Sequence, residues 1–184
     1  MNKIKRLTFT AIMAALCYVA FTFIQIKIPT PAGFTSFHLG NTFCILTALL
    51  FDGVMGGLAG AIGMGIGDLL DPAYVIVAPK TIIIKFIIGF ISGYFAHKVF
   101  HIDEKEGKDL TKYVVISIAI AMGCNIILEP LFSYFYYNLI LSNSDKAMSY
   151  LTIAKWITTS VNSILTVIVA TPLYLIVSKR INKK

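Results

Sequence analysis

The sequence predicts an all-α integral membrane protein, a single transmembrane domain (1–184) built as a bundle of six helices. Hydrophobic residues make up 57% of its 184 residues and charged residues only 14%. A soluble domain is about 45–50% apolar and about 25% charged. The apolar residues form six runs, most of them near the roughly 20 residues that span a bilayer. We therefore expect a multi-pass protein of the bacterial cell membrane.

The six predicted helices are separated by segments rich in Pro, Gly, Asp, Asn and Ser, with only a tight turn at Asp52-Gly53 between the second and third. Their predicted ranges are 6–26, 38–51, 53–69, 80–99, 112–137 and 151–178. The first run lacks a small-residue cleavage site, which favours a retained helix over a signal peptide. Helices 2 and 3 are short for a span, so either they are partly sunk in the bundle or their predicted boundaries are wrong by several residues. Short helices beside polar loops indicate a cavity open to one side.

The basic residues predict the orientation of the bundle. Eleven of the sixteen fall on one side if both termini are cytoplasmic. These eleven are Lys3, Lys5, Arg6, Lys98, Lys105, Lys108, Lys112, Lys179, Arg180, Lys183 and Lys184. The other five, Lys27, Lys80, Lys85, Lys146 and Lys155, are assigned to the outer side and to outer helix ends. Because the charges flank apolar runs, they indicate membrane topology and no nucleic-acid partner.

Enzyme and cofactor signatures are missing from the sequence. It contains no P-loop, HExxH or GxSxG motif, so no catalytic residue is assigned. The cysteines lie singly in apolar runs and the histidines are scattered, so neither a metal site nor another cofactor is expected. The helix-borne acids Asp68 and Glu129 are far apart in sequence. A membrane-embedded enzyme is therefore a remote alternative.

Polar residues inside the apolar helices indicate a small-molecule site, because such residues usually face protein or ligand. Asn125 and Glu129 share one face of helix 5, Trp156 and Asn162 lie on helix 6, and Lys85 lies on helix 4. All are expected in the outward halves of their helices. Alternatives remain: Lys85 snorkelling to the interface or pairing with Glu129, the asparagines bonding between helices, and Trp156 belonging to an interfacial belt.

The outer loops add three candidates. His38 and Asn41 stand where helix 2 begins, at an end where backbone N–H groups are free, and Tyr74 lies in a Pro-containing loop before helix 4. That loop is either an ordered cover or a plain connector. The predicted binding residues are thus His38, Asn41, Tyr74, Lys85, Asn125, Glu129, Trp156 and Asn162.

Small residues in two helices predict close packing. In helix 3, the glycines that are expected to pack inside the molecule are Gly53, Gly56, Gly57, Gly60, Gly63 and Gly67. Ala11 and Ala15 share a face of helix 1, and that face either packs internally or contacts a partner.

The chain resembles the S components, the substrate-binding subunits, of energy-coupling factor (ECF) vitamin transporters. Ala11 and Ala15 resemble their alanine docking motif. The series His38-Leu-Gly-Asn41, Gly67-Asp68 and Ala78-Pro-Lys-Thr-Ile-Ile-Ile-Lys85 is similar to the subgroup assigned to pyridoxine-type or hydroxymethylpyrimidine substrates, and it is related to riboflavin-type S components.

The resemblance implies a binding subunit that is not itself an enzyme. It would capture a small vitamin at the outer face and dock through Ala11 and Ala15 on an ECF module, which consists of a transmembrane coupling protein and a pair of ATP-binding-cassette ATPases. ATP hydrolysis there would tip the subunit and release the vitamin inside. A vitamin B6 vitamer is favoured; hydroxymethylpyrimidine, riboflavin, a queuosine precursor, and a structural or channel-forming role remain alternatives.

Overall fold

The computed structural model describes residues 2–141 and 145–181. In that part of the chain six α-helices form a bundle, which confirms the predicted fold class and helix count. They are α1 (Lys3–Thr22), α2 (Gly40–Leu50), α3 (Gly53–Leu70), α4 (Ala78–Gly93), α5 (Gly107–Leu141) and α6 (Asp145–Ile181). Between α1 and α2 lies an antiparallel β-hairpin, β1 (Gln25–Thr30) and β2 (Gly33–His38).

Five helical segments of the described residues are long and apolar enough to cross a membrane. The 11-residue helix α2 is too short, because a span needs about 20 residues. Nearly all of α2 is nevertheless buried, and it packs against α1, α3, α4 and α6. The short second helix of the sequence prediction is therefore a central element of the bundle.

The hairpin corrects the predicted end of helix 1. Helix 1 was expected to run to residue 26, yet α1 ends at Thr22 and Gln25 already pairs with His38 in the sheet. The apolar run continues through Ile26 and Ile28, which is why hydrophobicity alone overextends the helix. From Gln25 onward apolar and polar residues alternate, the strand period, and Pro29 is incompatible with a helix interior.

The last two helices are longer than predicted. Helix α5 covers Gly107–Leu141 instead of 112–137, and α6 covers Asp145–Ile181 instead of 151–178. Both continue into polar residues that a hydrophobicity criterion assigns to loops, because that criterion detects the membrane span and not the end of the helix. Helix 4, expected over 80–99, is α-helical to Gly93 and ends in a π-helical turn at Tyr94–Val99.

The glycines of α3 pack inside the molecule, as predicted. A Cβ on Gly56 would lie 2.4 Å from the Ala48 Cβ, and a Cβ on Gly60 would lie 2.5 Å from the Cys44 Sγ. A Cβ on Gly63 would lie 2.2 Å from the Ala14 carbonyl oxygen. The missing side chains thus let α3 approach both α2 and α1 closely, which fixes the centre of the bundle.

Gly93 supplies a test of this packing. A Cβ at Gly93 would lie 2.2 Å from the Gly53 backbone nitrogen, whereas a Cβ at Gly123 meets nothing within 4 Å. Gly93→Ala should therefore force α4 away from α3 and destabilise the protein by about 1–3 kcal/mol. Gly123→Ala should be neutral or stabilising by up to about 1 kcal/mol. Thermal unfolding of the two purified variants in detergent measures the contrast, and equal melting temperatures would contradict it.

Candidate functional site

A polar cavity lies at the end of the bundle opposite to the chain termini. Its walls come from the end of α1, the hairpin, the first turns of α2 and α4, the end of α3, and the middle of α5 and α6. The cavity has a volume of about 50 Å³. The cavity is therefore narrow.

Seven of the eight predicted binding residues line this cavity. They are His38, Asn41, Tyr74, Lys85, Asn125, Glu129 and Asn162. Residues more than a hundred positions apart in the chain thus meet in one place, although the polar groups were identified separately on different helices and loops. Their role in ligand binding stays a prediction.

Trp156 is the exception, and its assignment to this site is corrected. Its side chain is 42% exposed and lies on the outer surface of the bundle beside Ile127 and Leu131. Consecutive helical residues point about 100° apart. Lys155 faces the cavity, so Trp156 faces away from it. The position agrees with the alternative interpretation of Trp156 as an interfacial belt residue.

A cluster of charged side chains dominates the cavity. Glu129 is ion-paired with three lysines: Lys80 contacts its Oε1 directly, the Lys155 Nζ lies 3.5 Å from the same oxygen, and the Lys85 Nζ lies 3.7 Å from Oε2. Lys80 also donates a hydrogen bond of 3.1 Å to the Ser133 hydroxyl. We name Lys80, Lys85, Lys155 and Glu129 the lysine cluster.

The lysine cluster corrects the sequence interpretation of two cations. Only the Lys85–Glu129 pair was expected, whereas Lys80 and Lys155 were assigned to the outer side and outer helix ends without a role in the site. Both are buried, with 2% and 5% of their surface exposed. One signal for Lys155 was present in the sequence: Lys155, Thr158, Thr159 and Asn162 follow the i, i+3, i+4, i+7 spacing of one helix face.

Asp68 lies in the same cavity as Glu129, although the two residues are far apart in the sequence. It is only 2% exposed at the end of α3 and lies in the cavity wall with Glu129. Distance along the sequence is thus no measure of distance between the two carboxylates. In the described part of the chain, no group of three or more His, Cys, Asp or Glu side chains is placed to hold a metal ion.

Several neutral polar groups in the cavity have no hydrogen-bond partner among the described residues. Asn125 is fully buried, and neither its amide nitrogen nor its amide oxygen is bonded. The amide oxygen of Asn41 is also unbonded. An unsatisfied buried polar group costs about 1–3 kcal/mol, so these groups are suited to a polar ligand.

His38 is held as a neutral ring. Burial, with Lys85 nearby, lowers the pKa of His38 from 6.5 to about 3. The Gly40 backbone N–H donates to its Nδ1 at 3.2 Å. The proton of the neutral imidazole is therefore on Nε2, where the ring can donate a hydrogen bond.

Asn162 fastens the hairpin to α6. Its side-chain Oδ1 accepts from the His38 backbone N–H at 3.0 Å, and its Nδ2 donates to the Ser36 carbonyl at 3.0 Å. Nearby, the hydroxyls of Thr35 and Thr158 are 2.7 Å apart. Asn162 thus lies in the cavity wall as predicted, while both of its amide atoms bond the hairpin backbone.

Loss of this fastening should loosen the hairpin. Asn162→Ala leaves the His38 N–H and the Ser36 carbonyl without their partner, at a cost of about 1–3 kcal/mol. We expect amide hydrogen exchange in β2 to accelerate by about tenfold or more. Thr166→Ala is the control, because the Thr166 hydroxyl donates to a carbonyl of its own helix. Equal exchange in the two variants would show that Asn162 does not hold the hairpin.

The predicted docking residues lie away from the cavity. Ala11 and Ala15 are both exposed on α1. They border a shallow apolar groove between α1 and α3 that includes Ile62 and Ile66. The alternative that this alanine face packs inside the protein is therefore not what the structure shows.

Comparison with known proteins gives one likeness of structure and one of sequence. A solved structure titled "Structure and mechanism of the S component of a bacterial ECF transporter" covers 100% of both chains with a TM-score of 0.60 at 19% identity, a likeness that shows the fold. A Pyrococcus woesei protein, "Uncharacterized protein in gap 3'region", is 33% identical over 79 residues. These residues are 42% of this chain and 51% of that relative, so the chain spans about half of the relative's length.

A family match covers far more of the sequence. Residues 1–179 match the model of the family described as "ECF-type riboflavin transporter, S component". The match takes in α1 to α5, all of α6 except its last two residues, and each residue of the cavity. The chain therefore belongs to the family of ECF-type riboflavin transporter S components.

Proposed function

We propose that this S component captures a small water-soluble vitamin at the outer face of the membrane for ATP-driven uptake. The observation that carries this proposal is Asn125, a fully buried amide in the cavity wall whose donor and acceptor atoms both lack a partner in the described part of the chain. Asn41 presents a further unbonded oxygen to the same space. A concave site with a few convergent polar groups is the usual form of a small-molecule site.

A vitamin B6 vitamer is the favoured substrate. It is a small flat ring with hydroxyl and hydroxymethyl groups, which suits a narrow cavity with mostly polar walls. Asn125 and the Nε2–H of His38 supply hydrogen bonds for the ring substituents, and Tyr74 supplies an aromatic face in place of Trp156. Glu129 is positioned to accept from a hydroxymethyl or amino group.

Riboflavin is the second candidate, and the family match favours it. Its three fused rings and ribityl chain need a longer apolar trough than the present cavity offers. Hydroxymethylpyrimidine, another small polar ring, belongs in the same comparison. Release into the cell would follow docking on an ECF module through the exposed alanine face of α1.

The ligand that co-purifies with the protein tests this function. Native mass spectrometry of the protein in detergent should show a bound small molecule, and titration of ligand-free protein should give saturable binding of pyridoxine, hydroxymethylpyrimidine or riboflavin. Tighter binding of pyridoxine would support a vitamin B6 vitamer as the substrate, while tighter binding of riboflavin would make riboflavin the substrate instead. Absence of both a co-purified ligand and any saturable binding would refute the proposed capture function.

Asn125 gives the corresponding mutational prediction. Asn125→Ala removes a donor and an acceptor that face the ligand, so binding should weaken by about tenfold to a hundredfold, at about 1.4 kcal/mol per factor of ten. The fold should survive because the amide makes no hydrogen bond within the described protein. Ser117→Ala is the control on the same helix, since the Ser117 hydroxyl bonds the Tyr113 carbonyl outside the cavity. Isothermal titration calorimetry of both variants measures the effect, and unchanged affinity in Asn125→Ala would place the ligand elsewhere.

A further inference from the structure

The charges in the cavity do not balance. Three lysines of the lysine cluster face two carboxylates, Glu129 and Asp68, which leaves a formal surplus of one positive charge. Lys80, Lys85 and Lys155 are each at most 5% exposed. A buried charge without a counter-charge is strongly unfavourable. The cavity is therefore electrostatically incomplete as built from protein groups alone.

We infer that the ligand of this cavity carries an anionic group, a carboxylate or a phosphate, which the lysine cluster holds. This inference rests on the proposed function, because it assigns the chemical class of the molecule that the site captures. A neutral vitamin bound by hydrogen bonds alone is the rival possibility.

The donors of the lysine cluster exceed what Glu129 can accept. Each ammonium group carries three N–H donors and no acceptor. Lys80 and Lys155 both approach the same oxygen of Glu129, while the Lys85 Nζ is 3.7 Å from the other oxygen, too far for a hydrogen bond. The Oε2 atom of Glu129 has no hydrogen-bond partner among the described residues. Spare ammonium donors thus converge on one corner of the cavity, where the oxygens of an anion can accept them.

Two helix N-termini add to the positive potential. The first turns of α2 and α4 reach the cavity through Asn41 and through Lys80 and Thr81. The N-cap residues of the two helices, Leu39 and Val77, make no side-chain capping bond, and the neutral His38 ring that accepts from the Gly40 N–H adds no counter-charge there. Each helix dipole places roughly half a positive charge at this end, which favours a bound anion. The helix dipoles and the surplus lysine charge therefore both make the electrostatic potential in the cavity more positive.

The remaining walls define what the anionic group is attached to. Asn125, Asn41 and Tyr74 offer neutral donors and acceptors, and the His38 ring is uncharged. These groups match the nitrogen and hydroxyl substituents of a heterocycle. The fitting ligand is a small heterocyclic vitamin or vitamin derivative with one acidic substituent.

Matched pairs of compounds test the inference on the unmodified protein. Each pair differs by one acidic group: pyridoxine against pyridoxine phosphate, pyridoxine against pyridoxic acid, nicotinamide against nicotinate, and riboflavin against flavin mononucleotide. In at least one pair we expect the acidic member to bind ten times more tightly or better by calorimetry. The phosphate and carboxylate pairs show which acid is recognised, and inorganic phosphate alone should compete weakly.

The outcomes separate this inference from the proposed function. If pyridoxine, nicotinamide or riboflavin binds saturably and no acidic partner binds more tightly, vitamin capture stands and the anionic class is wrong. If no compound binds and no ligand co-purifies, both proposals fail.

Lysine variants give an independent measurement. Lys85→Gln and Lys155→Gln should each weaken the acidic member of the preferred pair at least tenfold, while the neutral member changes less than about threefold. Lys98→Gln, an exposed lysine at the far end of the fourth helical segment, is the control and should change neither. Equal weakening of both members would show that the lysines act only structurally and would overturn the inference. If a lysine variant does not yield monodisperse protein, the comparison of acidic and neutral compounds on the unmodified protein still tests whether the ligand is anionic.

Discussion

Glu129→Gln should destabilise the protein more than any other single substitution that keeps side-chain size. The change preserves the shape of residue 129 but leaves Lys80, Lys85 and Lys155 without the carboxylate that pairs with all three. Removing one partner of a buried ion pair costs about 3–5 kcal/mol, because the remaining charge stays buried. Thermal or denaturant unfolding in detergent should show this loss, together with the loss of ligand binding.

A matched substitution separates burial from charge. Asp52→Asn removes the carboxylate that pairs with Arg6 at 2.5 Å, but these side chains are 29% and 45% exposed. An exposed pair contributes about 0–1 kcal/mol, so this variant should unfold close to the parent. Adding Lys85→Met to Glu129→Gln should recover part of the stability, because it removes one of the stranded charges. Equal stability of Glu129→Gln and Asp52→Asn would mean that the lysine cluster contributes little to the fold.

The helical architecture could be predicted because lipid imposes a simple rule on the sequence. Every helix that spans a bilayer needs a long apolar segment, and α1, α3, α4, α5 and α6 each contain one. The hairpin could not be predicted in the same way. Its apolar residues Ile26 and Ile28 continue the preceding run, and the two-residue period lasts for too few positions to outweigh it.

The sequence identified most of the polar residues that line the candidate site, but it missed two of the three lysines that carry its positive charge. Asn125, Glu129 and Asn162 were identified because polar groups inside apolar helices rarely face lipid. Lys80 and Lys155 were not assigned to the site because a lysine near a helix end has two options, to reach outward to water or inward to a carboxylate. Composition and position do not distinguish these options. The choice depends on where Glu129 lies, and only the packing of α4, α5 and α6 shows that.

Two side chains show what sequence position does not reveal. Trp156 and Lys155 are neighbours in the sequence, yet the rotation of about 100° per residue places one on the surface and the other in the cavity. Asn162 is predicted to bind a ligand, and both of its amide atoms also bond the hairpin backbone, an element that the sequence did not predict. A polar residue on the cavity face can therefore hold the wall of a site in place as well.

Ala15→Trp, and likewise Ala11→Trp, should abolish vitamin uptake in cells while the purified protein binds its ligand as before. Both alanines are exposed on α1, far from the cavity, and they border the groove between α1 and α3. Close approach of a partner helix requires small residues at the contact, and an indole group there would hold the two helices apart. Since the proposed release step needs docking on an ECF module, loss of docking stops uptake without altering capture.

The matched control for this substitution is Ile164→Trp. Ile164 is 59% exposed on α6, away from the alanine face. A tryptophan there adds the same ring to the outer surface of the bundle, so uptake should continue at close to the parent rate. Uptake of a radiolabelled vitamin, co-purification with the tagged ECF module, and calorimetry on the isolated variants measure transport, docking and capture separately. Normal uptake by Ala15→Trp would show that α1 docks through another face, whereas loss of binding by the purified variant would show that the alanine face supports the fold of the cavity.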